Sequence, residues 1–374
     1  MVAEARAEAG GKTLRVLCVL LAPEPVPGPR YRVLQYLPEL ERHGLRCETL
    51  AVLSAVTARR SVAGAGASPV VRLWHWTRMV VETQIGCLRL LKRLPEYDRA
   101  LLYRVAIPRW AVGPLRRRRA DLVYDYDDAL DAGEGTTVIE RLRQRHLAGA
   151  LARAARVCAA VSTSNRRNAN VIERLGGHGV VVPTSVDVGV FPERPWTEGP
   201  VVLGWMGTPS TARYLPAIES ALAVVLTQRP GTVLRLVGSG GNPFTTLTPD
   251  VLEWRADREV SDLLGFDIGL MPMPDTKWTR GKAGLKALQY GAARTPTVAS
   301  WTTTNEEILG PESGAVLCRT SDDWIAALLG LIDDPVARRA AGEAARAHVR
   351  RHFSVEANGP RLAAVLRSPS EAPA

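Results

Sequence analysis

Several features are scarce or missing in this 374-residue chain, and each absence argues against a class of protein. No apolar run approaches the ~20 residues that a transmembrane helix needs. The five cysteines are dispersed and form no C-x-x-C pair, so neither a zinc site nor a disulfide framework is indicated. The six histidines have no metal-like spacing, and the G-x-S-x-G elbow of one hydrolase class is missing.

Positive charge is placed unevenly along the chain, which has a net charge of +10. Residues 1–190 contain 29 Lys and Arg against 18 Asp and Glu, whereas residues 191–374 contain 19 against 20. A basic first half favours an anionic partner there, such as phospholipid headgroups, a phosphorylated acceptor or nucleic acid. The alternative is that most of these arginines are simply solvated.

The densest basic run is Arg116-Arg-Arg-Arg119. A nucleic-acid-binding protein would interleave basic and aromatic residues within a recognisable module, and neither is present, so we expect no nucleic-acid partner. A solvated loop or an electrostatic contact with a membrane fits the run better. Dispersed cysteines suit a reducing cytoplasm. We therefore expect a cytoplasmic protein and hypothesise that residues 116–119 promote contact with anionic membranes at the cytoplasmic face.

Strand-like apolar runs alternate with amphipathic segments, which predicts parallel sheets with helices on both faces. The predicted strands are 14–21, 46–53, 100–105, 122–124, 157–161, 180–182, 201–206, 232–237, 267–271, 297–300 and 315–318. The predicted helices are 31–42, 71–94, 137–155, 164–175, 210–226, 283–292, 322–329, 335–350 and 355–366. The expected fold class is α/β, with two Rossmann-like, doubly wound parallel-sheet domains facing across a cleft.

A segment rich in proline divides the two halves. Residues 183–200 carry four prolines and two glycines without clear periodicity, which is typical of a linker. Ligands of such folds bind at strand ends that face the cleft. The predicted units are a disordered leader (1–12), an N-terminal acceptor-binding domain (13–187), a linker (188–199), a C-terminal donor-binding domain (200–350), a helix returning to the N-terminal domain (351–366) and a disordered tail (367–374).

Two glycine-containing turns follow predicted strands of the second half. Gly207 and Thr208 come after strand 201–206, and Arg213 in the next helix could pair with a phosphate through its planar guanidinium. Gly238 and Ser239 form a second turn, which lacks the spacing of a dinucleotide-binding loop. Taken alone, the first is an ordinary turn between a strand and a helix with a solvated arginine, and the second is a flexible loop.

The stretch 267–289 is the most informative part of the chain. It predicts a buried strand, a loop stiffened by proline, and a helix whose small first residues expose main-chain N–H groups. Lys282 and Lys286 are expected one turn apart at the helix start, where cations oppose the helix dipole unless an anion binds. The stretch therefore predicts a phosphate site. The alternative is a buried helix with two exposed lysines.

These turns, in this order and spacing, resemble glycosyltransferase family 4, the retaining GT-B enzymes that use nucleotide sugars. The segments that carry the resemblance are GWMGTPSTARYL (204–215), FDIGLMPMPDTKWTRGKAGLKALQYGAARTPTVAS (266–300) and TTTNEEIL (302–309). The first half is similar to a subgroup with an R-x-R motif, here Arg30-Tyr-Arg32, and a D-x-D-D motif, here Asp125-Tyr-Asp-Asp128. Residues 183–187 resemble its P-T-x-V-D segment.

The resemblance implies roles for individual residues. Arg213 and Lys282 would offset the charge of the donor diphosphate, and Asp127 joins them as a candidate catalytic residue. The implied donor-binding residues are Gly207, Thr208, Gly238, Ser239, Ala283, Gly284, Leu285, Lys286 and Gln289. The implied acceptor-side residues, which line the cleft or orient the acceptor, are Arg30, Tyr31, Arg32, Asp125 and Asp128.

Two positions depart from the family pattern. Gln289 stands where the family usually has a Glu that bonds the donor ribose, so the charge-assisted hydrogen bond is lost. Gly281 stands where the family has a Glu that contacts the donor sugar. The identity of the donor is therefore hard to infer from the resemblance.

The implied reaction transfers a sugar, with retention, from a nucleotide-diphosphate sugar to an anionic or hydroxylated acceptor. The acceptor is lipid-linked, a polysaccharide end or a natural product. A UDP-sugar is favoured over a GDP-sugar as co-substrate, and no cofactor or metal is expected because lysine and arginine stabilise the leaving group. The alternatives are a non-catalytic nucleotide-sugar-binding homologue or partner subunit, and a nucleotide-sugar epimerase of the same fold.

Overall fold

The structure is a computed structural model that describes residues 12–23, 27–58, 69–133, 137–193 and 199–369. These residues form two α/β domains, each built on a six-stranded sheet whose neighbouring strands are all parallel. Most of the predicted leader, the middle of the predicted linker and the end of the predicted tail lie outside the described residues.

The N-terminal sheet has the spatial order β2-β1-β3-β4-β5-β6. Its strands are β1 (Leu14–Leu20), β2 (Leu45–Ala51), β3 (Arg99–Tyr103), β4 (Leu122–Tyr126), β5 (Ala160–Thr163) and β6 (Gly179–Val181). Chain order reverses between β1 and β3, and in open parallel sheets such a point forms a crevice at the carboxyl ends of the strands. Strand β4 is buried throughout, as expected of a central parallel strand covered on both faces.

Six helices of the N-terminal domain bear on the site and its surroundings: α1 (Pro27–Arg32), α2 (Leu37–Arg42), α3 (Pro69–Arg93), α4 (Val112–Arg116), α5 (Val138–Val157) and α6 (Arg166–Arg174). The single helix predicted over 31–42 is wrong, because α1 and α2 are separated by a 3₁₀ turn over Leu34–Tyr36. Pro38 lacks an N–H group and lies in the first turn of α2, where no intrahelical donor is required.

The C-terminal sheet has the order β12-β11-β10-β7-β8-β9. Its strands are β7 (Val202–Met206), β8 (Val233–Val237), β9 (Asp250–Leu252), β10 (Ile268–Met271), β11 (Thr297–Ser300) and β12 (Val316–Cys318). Strand β9 is not among the predicted strands, because it is a short, largely exposed edge strand without the apolar run that marks the others.

The helices from residue 200 onward are α7 (Pro209–Ala212), α8 (Glu219–Gln228), α9 (Glu259–Leu264), α10 (Leu285–Ala292), α11 (Thr303–Leu309), α12 (Ser321–Asp333), α13 (Pro335–His352) and α14 (Val355–Arg367). The continuous helix predicted over 210–226 is wrong, since a 3₁₀ turn over Leu215–Ile218 with Pro216 in its first turn divides it. Helix α10 begins at Leu285 rather than at 283. Lys282 therefore precedes the helix in an extended conformation.

The last helix lies on the first domain. Leu362 and Leu366 of α14 are buried in the same apolar cluster as Val16 and Leu101 of the N-terminal sheet. The guanidinium Nε of Arg99 donates to the main-chain oxygen of Leu366 at 3.0 Å. The two domains are therefore joined through both the 188–199 segment and α14. Across the described part of the chain, no helix is long and apolar enough to cross a membrane.

Candidate functional site

A cavity of about 890 Å³ lies between the carboxyl ends of the two sheets. Residues of both domains form its walls, so it is the cleft expected between two parallel-sheet domains. On the N-terminal side its lining includes Gly28, Tyr31, Arg104, Asp127 and Asp128. On the C-terminal side it includes Gly207, Thr208, Gly238, Trp254, Glu259, Ala283, Gly284, Leu285, Lys282, Lys286 and Gln289.

The two lysines converge on this cleft from different backbone settings. The ammonium of Lys282 lies 3.6 Å from Asp128 and 4.7 Å from the centre of the Trp278 ring. The ammonium of Lys286 donates to the Thr211 hydroxyl at 3.3 Å. Burial, together with the charge of Lys282, lowers the pKa of Lys286 to about 7. In the cleft, Lys282 is therefore paired with a carboxylate. Lys286 has too little negative charge nearby to keep its ordinary pKa.

The start of α10 faces the same space. Gly284 caps the helix with a φ of 65°, and a Cβ there would lie 2.5 Å from Ile308 Cδ1. The left-handed conformation therefore favours glycine, and a Cβ would also require the end of the Ile308 side chain to move. Ala287 donates to the Gly284 carbonyl at 3.0 Å, whereas the earlier N–H groups of a first turn have no intrahelical acceptor. Those of Leu285 and Lys286 can bind an anion in the cleft.

The turns after β7 and β8 offer space rather than hydrogen-bond donors. The N–H of Gly207 donates to Val237 O at 3.0 Å, and that of Gly238 donates to Leu252 O at 2.9 Å. A Cβ on Gly207 would lie 2.8 Å from the Cε of Lys286. Ser239 is buried, and its hydroxyl donates to Gly241 O at 2.7 Å. These glycines let a ligand and Lys286 approach the backbone, while their own N–H groups are already used.

Arg213 is placed beside the cleft rather than among its lining residues. It follows the short helix α7, and its guanidinium lies 5.0 Å from the centre of the Tyr214 ring and donates to the Tyr214 hydroxyl at 2.9 Å. It lines a second cavity of about 520 Å³ together with Trp301 and Arg319, whereas Tyr214 lines both cavities. The structure does not bring Arg213 together with the two lysines.

Arg32 and Asp125, both predicted on the acceptor side, are buried away from the cleft. Arg32 forms a paired contact with the two carboxylate oxygens of Asp125, at 2.9 and 2.6 Å, and donates to Val182 O at 2.8 Å. Both side chains are about 1% exposed. The structure does not place these two residues in the cleft lining, because their charges neutralise each other inside the N-terminal domain.

Asp127 and Asp128 do face the cleft, and Arg104 holds them. Arg104 Nη1 lies 2.9 Å from Asp128 and 3.4 Å from Asp127, and Tyr103 donates to Asp127 at 3.0 Å. Burial, with the charge of Asp128 beside it, raises the pKa of Asp127. Burial would also raise the pKa of Asp128, but the cations Lys282 and Arg104 outweigh it and lower that pKa. Asp128 is therefore the carboxylate and Asp127 the group that holds a proton more readily.

Sequence reasoning missed Arg104, although a signal was available. The strand had been predicted to extend to Val105, but β3 ends at Tyr103 and Arg104 takes a left-handed φ of 54°. A non-glycine residue in this conformation is strained unless neighbouring contacts hold it, and such residues cluster at functional sites. A charged residue directly after a buried parallel strand is the pattern that could have identified it.

Glu259, from a helix that was not predicted, joins the two domains at the base of the cleft. Its carboxylate accepts hydrogen bonds from Arg30 at 2.6 Å and from the Tyr31 hydroxyl, both on α1. On its own domain it accepts from Trp254 Nε1 at 2.9 Å and from the Gln289 amide at 3.1 Å. A carboxylate only accepts, so it fixes the Gln289 amide nitrogen toward itself and leaves the amide oxygen as an acceptor.

Gly281 lies where the two domains touch. A Cβ at this position would be 2.5 Å from the Cβ of Ala129 and 2.9 Å from Asn168 Oδ1. Asn168 Nδ2 donates to Gly281 O at 3.0 Å, and Asn165 Nδ2 donates to Lys282 O at 3.2 Å. The contact between domains occupies the space that a larger side chain at 281 would need.

No group of three His, Cys, Asp or Glu residues suited to a metal occurs within the described ranges. The D-x-D part of the motif is divided, since Asp125 is committed to Arg32 while Asp127 faces the cleft. What the cleft offers is cationic and main-chain groups for an anion, opposed by a carboxyl pair on the facing domain.

Comparison with known proteins gives a curated relative that matches part of the chain. No family model matches the chain. This chain is 32% identical over 168 residues to a GDP-mannose-dependent monoacylated α-(1-6)-phosphatidylinositol monomannoside mannosyltransferase of Corynebacterium glutamicum. The match covers 41% of this chain and 43% of that enzyme, so it spans less than half of the relative's length.

Solved structures match along almost the whole chain at low identity. Anabaena Alr3699/HepE in complex with UDP-glucose has a TM-score of 0.63 and 16% identity, covering 95% of this chain and 100% of that one. The sucrose-phosphate synthase of Thermosynechococcus elongatus has a TM-score of 0.64 and 14% identity, covering 95% and 98%. A putative UDP-N-acetylglucosamine 2-epimerase of Listeria monocytogenes has a TM-score of 0.56 and 12% identity, covering 97% and 98%. The chain therefore has the GT-B fold.

Proposed function

We propose that this protein is a retaining glycosyltransferase that moves a sugar from a nucleotide-diphosphate sugar to an acceptor hydroxyl. The observation that carries the proposal is the convergence of Lys282, Lys286 and the start of α10 on one cleft between two domains. Negative charge develops on the diphosphate as it leaves, and preorganised cations and N–H groups are what such a transition state requires.

The donor side of the proposal rests on the C-terminal domain. The diphosphate would lie against Leu285 and Lys286, with Gly207 and Gly284 allowing close approach to the backbone. Gln289, oriented by Glu259, would present its amide oxygen to a donor hydroxyl group. One similar protein is named as GDP-mannose-dependent, and another was solved with UDP-glucose. Both names support a nucleotide-sugar donor, and the nucleotide base of the donor is to be determined by experiment.

The acceptor side rests on Asp127, Asp128 and Arg104 of the facing domain. The acceptor hydroxyl would approach the same face of the sugar that the diphosphate leaves, with Asp127 or Asp128 accepting a hydrogen bond from it. Because the named relative acts on a phosphatidylinositol mannoside, a lipid-linked hydroxylated acceptor is the first class to test. In this scheme the enzyme contributes mainly positioning and electrostatic stabilisation.

The decisive experiment combines a binding screen with a turnover assay. UDP-glucose, UDP-N-acetylglucosamine, GDP-mannose and ADP-glucose are tested for a rise in melting temperature, since a ligand that binds only the folded state raises it. The donor that binds is then incubated with and without acceptor. Transfer with retained anomeric configuration supports the proposal, whereas binding without hydrolysis or transfer identifies a non-catalytic homologue.

An epimerase is the second candidate. Asp127 and Asp128 both face the cleft, and the pKa of Asp127 is raised whereas that of Asp128 is lowered. Such a pair could serve as acid and base. A new nucleotide sugar formed without any acceptor would identify that activity and contradict transfer.

A further inference from the structure

Helix α3 carries a second apolar face that stays exposed in the part of the domain that the structure describes. Its inner face is buried at Cys87 and Leu90, which are 1% exposed. On the opposite side lie five residues at helical spacing that are 42–76% exposed: Val70, Trp74, Val81, Ile85 and Leu88. A helix on the surface of a soluble domain ordinarily directs charged and polar residues outward, so this outer face requires an explanation.

The exposed face continues onto neighbouring elements. Trp110 donates from its indole nitrogen to Gln84 of α3 at 2.6 Å, and its side chain is 44% exposed. We call the five outer residues of α3 together with Trp110 the α3 surface. Helix α5 packs against α3 through Trp76, whose ring lies 6.2 Å from that of His146. Two further apolar residues, Val138 and Leu142, are 71% and 49% exposed on α5.

Basic residues border the α3 surface, and the acidic residue of α3 itself is neutralised. Helix α3 contains five Lys and Arg but only one acidic residue, Glu82. The carboxylate of Glu82 is bound by Arg78 at 2.9 Å and by the main-chain N–H of Ser54 at 2.8 Å. Arg89 and Lys92 are exposed on the same helix, and Arg109 is exposed beside Trp110. The surface is therefore apolar at its centre and cationic at its rim.

We propose that the α3 surface docks on the interface of an anionic lipid bilayer. Tryptophan and aliphatic side chains enter the boundary between headgroups and acyl chains, while lysine and arginine stay at the depth of the lipid phosphates. A second copy of this chain would bring two cationic rims together, which disfavours self-association through the same face. Arg116–Arg119, on and after α4, would add to the attraction at longer range. Docking does not require any chemistry in the cleft.

Vesicle co-sedimentation tests the docking with the full chain. Phosphatidylcholine vesicles are compared with vesicles that also contain phosphatidylglycerol. The Trp74→Ser/Leu88→Ser variant is expected to lose at least about tenfold in partitioning to the anionic vesicles, since buried apolar area and charge both contribute. The matched control is Val336→Ser on α13, because Val336 is as exposed as Val70 but lies in the C-terminal domain. It is expected to sediment like the unaltered protein.

Three outcomes would overturn the proposal. One is equal sedimentation of the Trp74→Ser/Leu88→Ser variant and the unaltered protein, with both folded by circular dichroism. A second is sedimentation that does not depend on phosphatidylglycerol. A third is a change from dimer to monomer in the variant by light scattering, which would assign the α3 surface to contact between copies. Replacing Arg116–Arg119 by Ala tests the charge contribution separately and is expected to weaken binding and its salt dependence.

Discussion

Lys282 and Asp128 face each other at 3.6 Å across the boundary between the two domains. The lysine is also held through its backbone, because Asn165 of the N-terminal domain donates to its carbonyl oxygen at 3.2 Å. The cation that would stabilise a leaving diphosphate is therefore positioned by the domain that would hold the acceptor. A bound diphosphate would draw the ammonium away from Asp128 and leave that carboxylate available to the acceptor.

Replacing Lys282 with Ala should lower turnover about a hundredfold, corresponding to the ~3 kcal/mol typical of a lost transition-state donor. Steady-state kinetics should show the loss in kcat more than in KM, since the charge develops as the bond breaks. Lys277→Ala is the matched control, because Lys277 is an exposed lysine five residues earlier outside the cleft lining. Near-normal turnover in the Lys282 variant would remove this residue from the mechanism.

Binding of a nucleotide diphosphate near neutral pH should be accompanied by proton uptake at Lys286. Its pKa is lowered to about 7 by burial and by Lys282, and an adjacent diphosphate raises it again. Affinity should therefore be steady below pH 7 and fall by up to about tenfold per unit as pH rises above it. Calorimetry in buffers of different ionisation enthalpy measures the uptake. The Lys286→Gln variant should lose this proton uptake. An unchanged proton uptake in the variant would contradict its assignment to Lys286.

Glu259→Ala should destabilise the protein by about 3 kcal/mol, because it leaves the Arg30 guanidinium and the Tyr31 hydroxyl without their shared acceptor. Urea denaturation measures the change, and donor binding should weaken as Gln289 loses its fixed orientation. Glu253→Gln, at an exposed glutamate of the same cleft, is the control and should change stability little. If Glu259→Gln restores neither stability nor binding, the carboxylate itself is required.

Gly281→Ala should impair activity while leaving each domain folded. The added Cβ would lie 2.5 Å from the Cβ of Ala129, so the domains would have to separate slightly around Lys282. Gly330→Ala is the control: it lies within α12, no atom is near its added Cβ, and it should stabilise the protein by ~0.5–1 kcal/mol. Full activity of the Gly281 variant would show that the contact at this position does not constrain the cleft.

The fold could be predicted from the chain because its signals are local. Buried parallel strands appear as short apolar runs, and the alternation of such runs with amphipathic segments indicated two parallel sheets, which the structure confirms. The wrong helix predictions occur where two local signals conflict. The apolar spacing continues across Pro38 and Pro216, but each proline marks a break in the predicted helix. The edge strand β9 had no apolar run to mark it.

The sequence predicts that Lys282 and Lys286 lie together after strand β10, but it does not predict the partners of charged residues. Asp125 and Asp128 are three positions apart, yet one is buried against Arg32 and the other faces Lys282, since the chain turns at the end of β4. Arg30 and Glu259 are 229 residues apart in the sequence, and they meet only because the two domains pack against each other. The amino-acid sequence alone thus determines which segments form the two sheets, and it predicts which loop and helix carry the candidate anion site. Tertiary contact decides which charges are neutralised inside the protein and which remain for a ligand, because burial and pairing depend on residues distant along the chain.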